Sequence, residues 1–139
     1  MPSVFTHIIN GDLPGHFVWK DAEAVAFLTI QPIREGHVLV VPRAEIDHWD
    51  AVPDATARHL MSVARRIAHG IKAAWNPARV SLIVAGFEVP HTHLHLIPAE
   101  DMGDLSFARA RSASKDELAD AAQRLRETLR AQGNPEAEV

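Results

Sequence analysis

Pro90-His91-Thr92-His93-Leu94-His95-Leu96-Ile97-Pro98 is the stretch from which the rest of the chain can be understood. Its residues alternate in the period-two pattern of a strand, so His91, His93 and His95 are expected on one face, about 6 to 7 Å apart, with Thr92, Leu94 and Leu96 on the other. A single histidine on an apolar face is ordinarily a hydrogen-bonded core residue. Three in strict alternation would each need a partner on burial, which makes chemistry the better account. Two chemistries fit. His-x-His on a strand can present two neutral imidazoles to zinc, with a third ligand from elsewhere. Against it, the three positions spread over roughly 13 Å, and the nearest carboxylates, Glu88, Glu100 and Asp101, fall outside the alternating set. In the other, a neutral imidazole attacks phosphorus while its neighbours orient it and supply protons.

Working outward, Arg79 to Ala85 reads as a second strand, joined to the first by only Gly86-Phe87-Glu88-Val89, so the two are expected to pair. Upstream, Leu60, Val63, Ala64, Ile67, Ile71, Ala74 and Trp75 recur at helical spacing, predicting a long helix from Pro53 to Trp75 that Asn76-Pro77 stops. The N-terminal half reads as short helical turns in Val4 to Ile9, a hairpin of His16 to Lys20 with Ala24 to Ile30, and a strand, His37 to Val41, closed by Pro42. Downstream, Ser114 and Glu117 stand at capping-box spacing and open a helix to Ala131, with a frayed tail over residues 134–139. No repeat or interior linker interrupts the pattern. One α+β domain over residues 1–133 follows, an antiparallel sheet with helices packed on one side.

Composition narrows the function. The chain has 139 residues, 47% apolar and 23% charged, enough to build a packed core. It has no cysteine, which removes disulfides, thiolate metal sites and a cysteine nucleophile. A net charge of −4 gives no reason to expect duplex nucleic acid or an anionic membrane as partner. There is no run of apolar residues long enough for a membrane span, and the N-terminus lacks signal-peptide character, so the cytoplasm is the expected compartment. His7, His16, His48, His59 and His69 share no period and are expected to be surface or structural residues.

The alternating histidines resemble the signature of the histidine triad family, and the likeness extends to three other segments. Phe27-Leu28-Thr29-Ile30-Gln31-Pro32 is similar to the family's nucleoside-side strand, Gly36-His37-Val38-Leu39-Val40-Val41-Pro42 to the strand that follows it, and Ser3 to Ile9 to its N-terminal segment. The resemblance covers roughly residues 3–107, with a further helix over 114–131. It implies an α+β, HIT-like fold with an antiparallel sheet of about five strands, a short N-terminal helix, one long helix and a C-terminal helix, assembled as a homodimer by joining two sheets. It also implies a nucleotide-like small molecule of the AMP or GMP class as partner, and hydrolysis or transfer of a nucleoside monophosphate. His93 would be the nucleophile, forming a nucleotidyl-histidine intermediate. His95 would contact the phosphate, His91 would support the network and His37 would orient the nucleophile. Val4, Phe5, Ile8, Phe27 and Ile30 would line a slot for the base, and Thr29, Gly86, Glu88 and Val89 would face the rest of the substrate.

Three departures from the family pattern qualify these expectations. Ser3 and Thr6 stand where many relatives carry two cysteines of a structural zinc site, so neither zinc nor any other cofactor is expected. Thr29 stands where relatives place an Asp or Asn toward the ribose. The connection before the triad is shortened, leaving the backbone around Gly86 to approach a phosphate closely, with Glu88 opposing its charge if turned inward. The alternative to an enzyme is therefore a nucleotide-binding or interaction protein with weak or lost catalysis.

Overall fold

The computed structural model describes residues 1–139. Its centre is an antiparallel sheet of β1 (Phe17–Lys20), β2 (Ala24–Leu28), β3 (Val38–Pro42), β4 (Arg79–Ile83) and β5 (Leu94–Ala99) in the order β1-β2-β3-β5-β4. β2, β3 and β5 are buried on both faces, which explains why β2 and β3 read as unbroken apolar runs rather than alternating ones. The helices are α1 (Val4–Ile9), α2 (Asp54–Trp75) and α3 (Lys115–Ala131).

The two faces of the sheet differ. Val18, Ala26, Leu28, Val38, Val40, Leu94 and Leu96 pack with the apolar stripes of α2 and α3 in a cluster of 21 buried residues. The opposite face carries five, Val25, Phe27, Leu39 and Val41 beneath Phe5 of α1. The expectation of helices on one side therefore holds for the two long ones, while the N-terminal helix covers the other face. Because His95 pairs with Leu39 across the β3–β5 ladder, alternation turns its ring to the α1 side.

Local chemistry sets the ends of the elements. α2 stops at Asn76, whose left-handed φ of 50° lets its N–H return to the Lys72 carbonyl, with Pro77 next. α3 starts at the reciprocal Ser114–Glu117 capping box. Gly36 turns the chain into β3 with a φ of +94°, and a Cβ there would stand 2.9 Å from the Trp75 ring, so both the backbone and the space require glycine.

Two expectations are corrected. The strand predicted from Pro90 begins only at Leu94. Val40 pairs with Leu94, so Pro42 would have to meet Thr92, and Pro42 has no N–H to continue the ladder. The Thr92 N–H turns to the Ile46 carbonyl instead, at 2.7 Å. The tail expected to fray is docked: Pro135–Ala137 forms a 3-10 turn with Ala137 fully buried in the main core, and the Asn134 amide caps the Leu129 carbonyl. No helix is long and apolar enough to cross a membrane.

Candidate active site

His91 and His93 lie just before β5, His95 is its second residue, and His37 immediately precedes β3. All four rings are buried, yet they converge: His93 and His95 have ring centroids 4.9 Å apart, and His37 and His95 5.2 Å. Sequence alternation is thus only partly responsible, since two of the three triad residues are placed by the irregular segment that the end of the ladder at Pro42 creates.

Each ring has partners that assign its tautomer. His93 Nδ1 lies 2.7 Å from the His91 carbonyl, which can only accept, so Nδ1 carries the hydrogen and Nε2 a free lone pair. His37 Nδ1 accepts the Ile33 N–H at 3.1 Å, so its hydrogen is on Nε2 and is donated to His95 Nδ1 at 2.9 Å. The hydrogen of His95 is therefore on Nε2. His91 Nε2 donates to the Pro42 carbonyl at 2.8 Å, leaving Nδ1 to accept the Ser3 hydroxyl at 2.7 Å. The Nε2 atoms of His93 and His95 make no hydrogen bond, yet neither is sealed off: the sole unpartnered buried side-chain polar atom in the chain is Glu136 Oε1. A lone pair and a donor thus reach the surface side by side.

Burial holds three of these rings neutral, those of His37, His93 and His95. Burial, with the neighbouring His95 acting in the same direction, pushes His37 down from 6.5 to about 3. Burial and His93 push His95 down to about 4. His93 is also lowered, chiefly by burial, although its bond to the His91 carbonyl and the charge of Glu88 favour the protonated form. Glu88 is thus close enough for its carboxylate to act on His93 while remaining solvent-exposed.

Phe5 and Phe27 meet edge-on at 5.5 Å, with Phe5 also 4.9 Å from His93, and Ile8 and Val89 pack against the same cluster. Together they make an apolar wall beside the triad, in which Phe5, Ile8 and Phe27 belong to the slot expected for the base and Val89 to the residues expected to face the rest of the substrate. Val4 and Ile30, expected in the same slot, are 43% and 68% exposed and lie outside both core clusters. The first turn of α1 points Phe5 rather than Val4 at the sheet. β2 ends at Leu28, after which the Thr29 hydroxyl accepts the Gln31 N–H in a turn, and the Ile30 carbonyl accepts the Ala113 N–H. Thr29, with His37, Arg34 and Arg111, instead borders a cavity of about 360 Å³ between the β2–β3 connection and the start of α3; neither His93 nor His95 reaches it. Gly86 has a φ of +78° and open space where a Cβ would be, so within the protein its requirement is conformational and not one of close approach.

Sequence reading missed Phe107, whose ring stands edge-on to His95 at 4.8 Å, and the buried Ser3. Phe107 belongs to a strap after β5 held by Arg34 and Arg109 on Asp104, at 3.0 and 3.1 Å. No spacing in the sequence marks it. Ser3 does carry a signal, the preference of serine for a helix N-cap, and its Oγ accepts the Thr6 N–H at 3.1 Å. No group of three or more His, Cys, Asp and Glu side chains is arranged to hold a metal ion.

Comparison with known proteins finds similar chains and folds. The HIT domain model matches residues 10–102. An uncharacterized HIT-like protein of Methanocaldococcus jannaschii is 32% identical over 122 residues, 83% of this chain and 94% of that one. The adenosine 5'-monophosphoramidase of Saccharomyces cerevisiae is 33% identical over 99 residues, 70% of this chain and 63% of the yeast protein. Among solved structures, a hypothetical histidine triad nucleotide-binding protein of Sulfolobus tokodaii superposes with a TM-score of 0.82 at 29% identity, covering 91% of each chain.

Proposed function

The chain belongs to the HIT domain family, and from that premise we propose that it is a nucleotidyl hydrolase or transferase whose nucleophile is His93. The observation that carries this reading is the opposed tautomers of two adjacent rings: His93 offers an Nε2 lone pair beside an Nε2 hydrogen of His95. The lone pair attacks phosphorus and the N–P bond forms as the bond to the leaving group breaks, the leaving group departing with the electron pair. His95 donates its hydrogen bond to a phosphate oxygen or to the leaving atom, where negative charge grows. The positive charge that develops on His93 is met by the His91 carbonyl at Nδ1 and by the Glu88 carboxylate. Water or another hydroxyl then attacks phosphorus, its proton passing to solvent, and the N–P pair returns to His93. Neutral rings are what this scheme needs, and burial supplies them.

The substrate class is a phosphoramidate or dinucleoside polyphosphate, its base against Phe5, Ile8 and Phe27. The yeast relative, named as an adenosine 5'-monophosphoramidase, supports that class. A second reading, a nucleotide-binding protein without appreciable turnover, is favoured by Glu88, whose negative charge beside His93 disfavours an incoming phosphate. The assembly belonging to the first reading is a cytoplasmic homodimer that joins the open edges of β4, the last strand of the sheet; sedimentation as a monomer alone would remove it.

The test is AMP release from adenosine phosphoramidate and from diadenosine polyphosphates in the presence of chelator, by the wild type and by His93→Ala. Release by the wild type alone, with a presteady-state burst, supports the enzyme. Nucleotide binding without release by either protein supports the second reading, and equal release by both excludes His93 as nucleophile.

A further inference from the structure

Ser3 and Glu45 lie outside the triad, and neither touches His93. Ser3 is nevertheless buried, and its hydroxyl is shared between two tasks. The oxygen accepts the Thr6 N–H at 3.1 Å, which starts α1, while the hydrogen goes to His91 Nδ1 at 2.7 Å. Thr6 cannot take over the second task, because its own hydroxyl hydrogen goes to Glu45 Oε1 at 2.7 Å and its oxygen stands 3.5 Å from His91. The same Glu45 oxygen accepts the Ser3 N–H, so the carboxylate holds the serine by its backbone. On its far side the His91 ring donates to the Pro42 carbonyl, and its own backbone carbonyl accepts Nδ1–H of His93.

These contacts form one continuous line: Glu45 to Ser3, Ser3 to the His91 ring, and the His91 carbonyl to the nucleophile. The Pro42 carbonyl, which can only accept, fixes the His91 hydrogen on Nε2, and the Ser3 hydroxyl, donating to Nδ1, holds the opposite end of the ring, so the two together leave one ring orientation. Phe5, two residues after Ser3, packs edge-on against both His91 and His93, at 5.8 and 4.9 Å. A single hydroxyl therefore fixes the helix that walls the slot and the residue whose carbonyl aims the attacking ring.

We propose that Ser3, held by Glu45, is a positioning residue that pins the His91 ring and through it the alignment of His93, coupling the seating of α1 over the slot to the readiness of the nucleophile. The proposal rests on His93 being that nucleophile, but its first test needs no substrate. Glycine is tolerated at a helix N-cap almost as well as serine, so Ser3→Gly removes the hydroxyl while sparing α1. Ring-nitrogen NMR shifts of the substrate-free protein are expected to show His91 with hydrogen on Nε2 and a hydrogen-bonded Nδ1 in the wild type, a downfield move of Nδ1 toward the unbonded acceptor range in Ser3→Gly, and the wild-type shift again in Ser3→Thr. Single-turnover AMP transfer to the enzyme should fall roughly tenfold in Ser3→Gly, the worth of one hydrogen bond to an oriented ring, and recover in Ser3→Thr. Should Ser3→Gly not fold, Glu45→Ala carries the test, with a smaller loss in the same direction.

An unchanged His91 signature in Ser3→Gly, or in Glu45→Ala if that variant stands in, overturns the proposal whatever the activity. So does a lost rate that threonine fails to restore. A wild type that transfers no nucleotide overturns the functional reading, and the NMR comparison still decides whether Ser3 holds the His91 ring.

Discussion

Replacing His37 with glutamine isolates what the buried proton relay contributes to stability. The wild-type ring accepts from the Ile33 N–H and donates to His95, two tasks that a glutamine amide can perform without titrating. Burial holds His37 neutral down to about 3, against 6.5 for a free histidine. Between those values the unfolded chain binds a proton that the folded chain refuses, so stability is complete above the unfolded value and falls as the pH drops. At about pH 4.5 the deficit is about two pH units at about 1.4 kcal/mol each, or about 3 kcal/mol. At a urea slope of about 2 kcal/mol per molar, that moves the unfolding midpoint by about 1.5 M. Urea unfolding followed by fluorescence of the three tryptophans, at about pH 7.5 and about pH 4.5 and one fixed protein concentration, measures it. The wild type should lose about 3 kcal/mol more than His37→Gln between the two conditions, whatever the variant costs at neutral pH. Equal losses within about 0.5 kcal/mol would refute a neutral, proton-refusing His37.

Three further outcomes are expected. Because burial lowers His93, the acid limb of kcat/KM for AMP release should lie below the ordinary histidine value, rising with pH to a plateau; a limb centred above 7 in a pH–rate profile would show that another group controls the reaction. Phe107→Ala should open His95 to water, raise its pKa from about 4 toward 6.5 and cost about 1 to 3 kcal/mol, and an unaltered NMR titration of His95 would place its shielding elsewhere. Gly36→Ala should lower thermal stability by more than Gly86→Ala, since both have positive φ but only Gly36 faces a ring, at 2.9 Å; about 1 kcal/mol is expected at Gly86 and about 2 to 4 at Gly36, and the reverse order would refute the steric account.

Local patterns made much of the fold legible. The apolar runs of β2 and β3, the stripe of α2 and the Ser114–Glu117 pair each signal their element without help from the rest of the chain. What escaped the sequence depends on distant partners. Leu94 begins β5 because Pro42, more than fifty residues earlier, stands opposite Thr92. Ser3 and His91 are 88 positions apart, and Phe107 reaches His95 from an irregular strap. Ala137, a small residue in a polar tail, gave no hint that it would be fully buried. The four histidines were recognisable as a set, but the orientation of each proton comes from carbonyls and N–H groups that only the folded backbone supplies.

The unequal faces of the sheet separate two kinds of opening. The helices α2 and α3 share a cluster of 21 buried residues, whereas α1, six residues long, is held over the other face by a cluster of five. A helix so short does not persist without its tertiary contacts. Lifting it uncovers little apolar surface and leaves the large cluster intact, so the slot wall belongs to the least protected part of the molecule and its amides should exchange with solvent well before those of α2. How quickly the slot admits a ligand is then governed by the N-terminal segment, while the lifetime of the folded chain is governed by the opposite face, and each can change in evolution without altering the other.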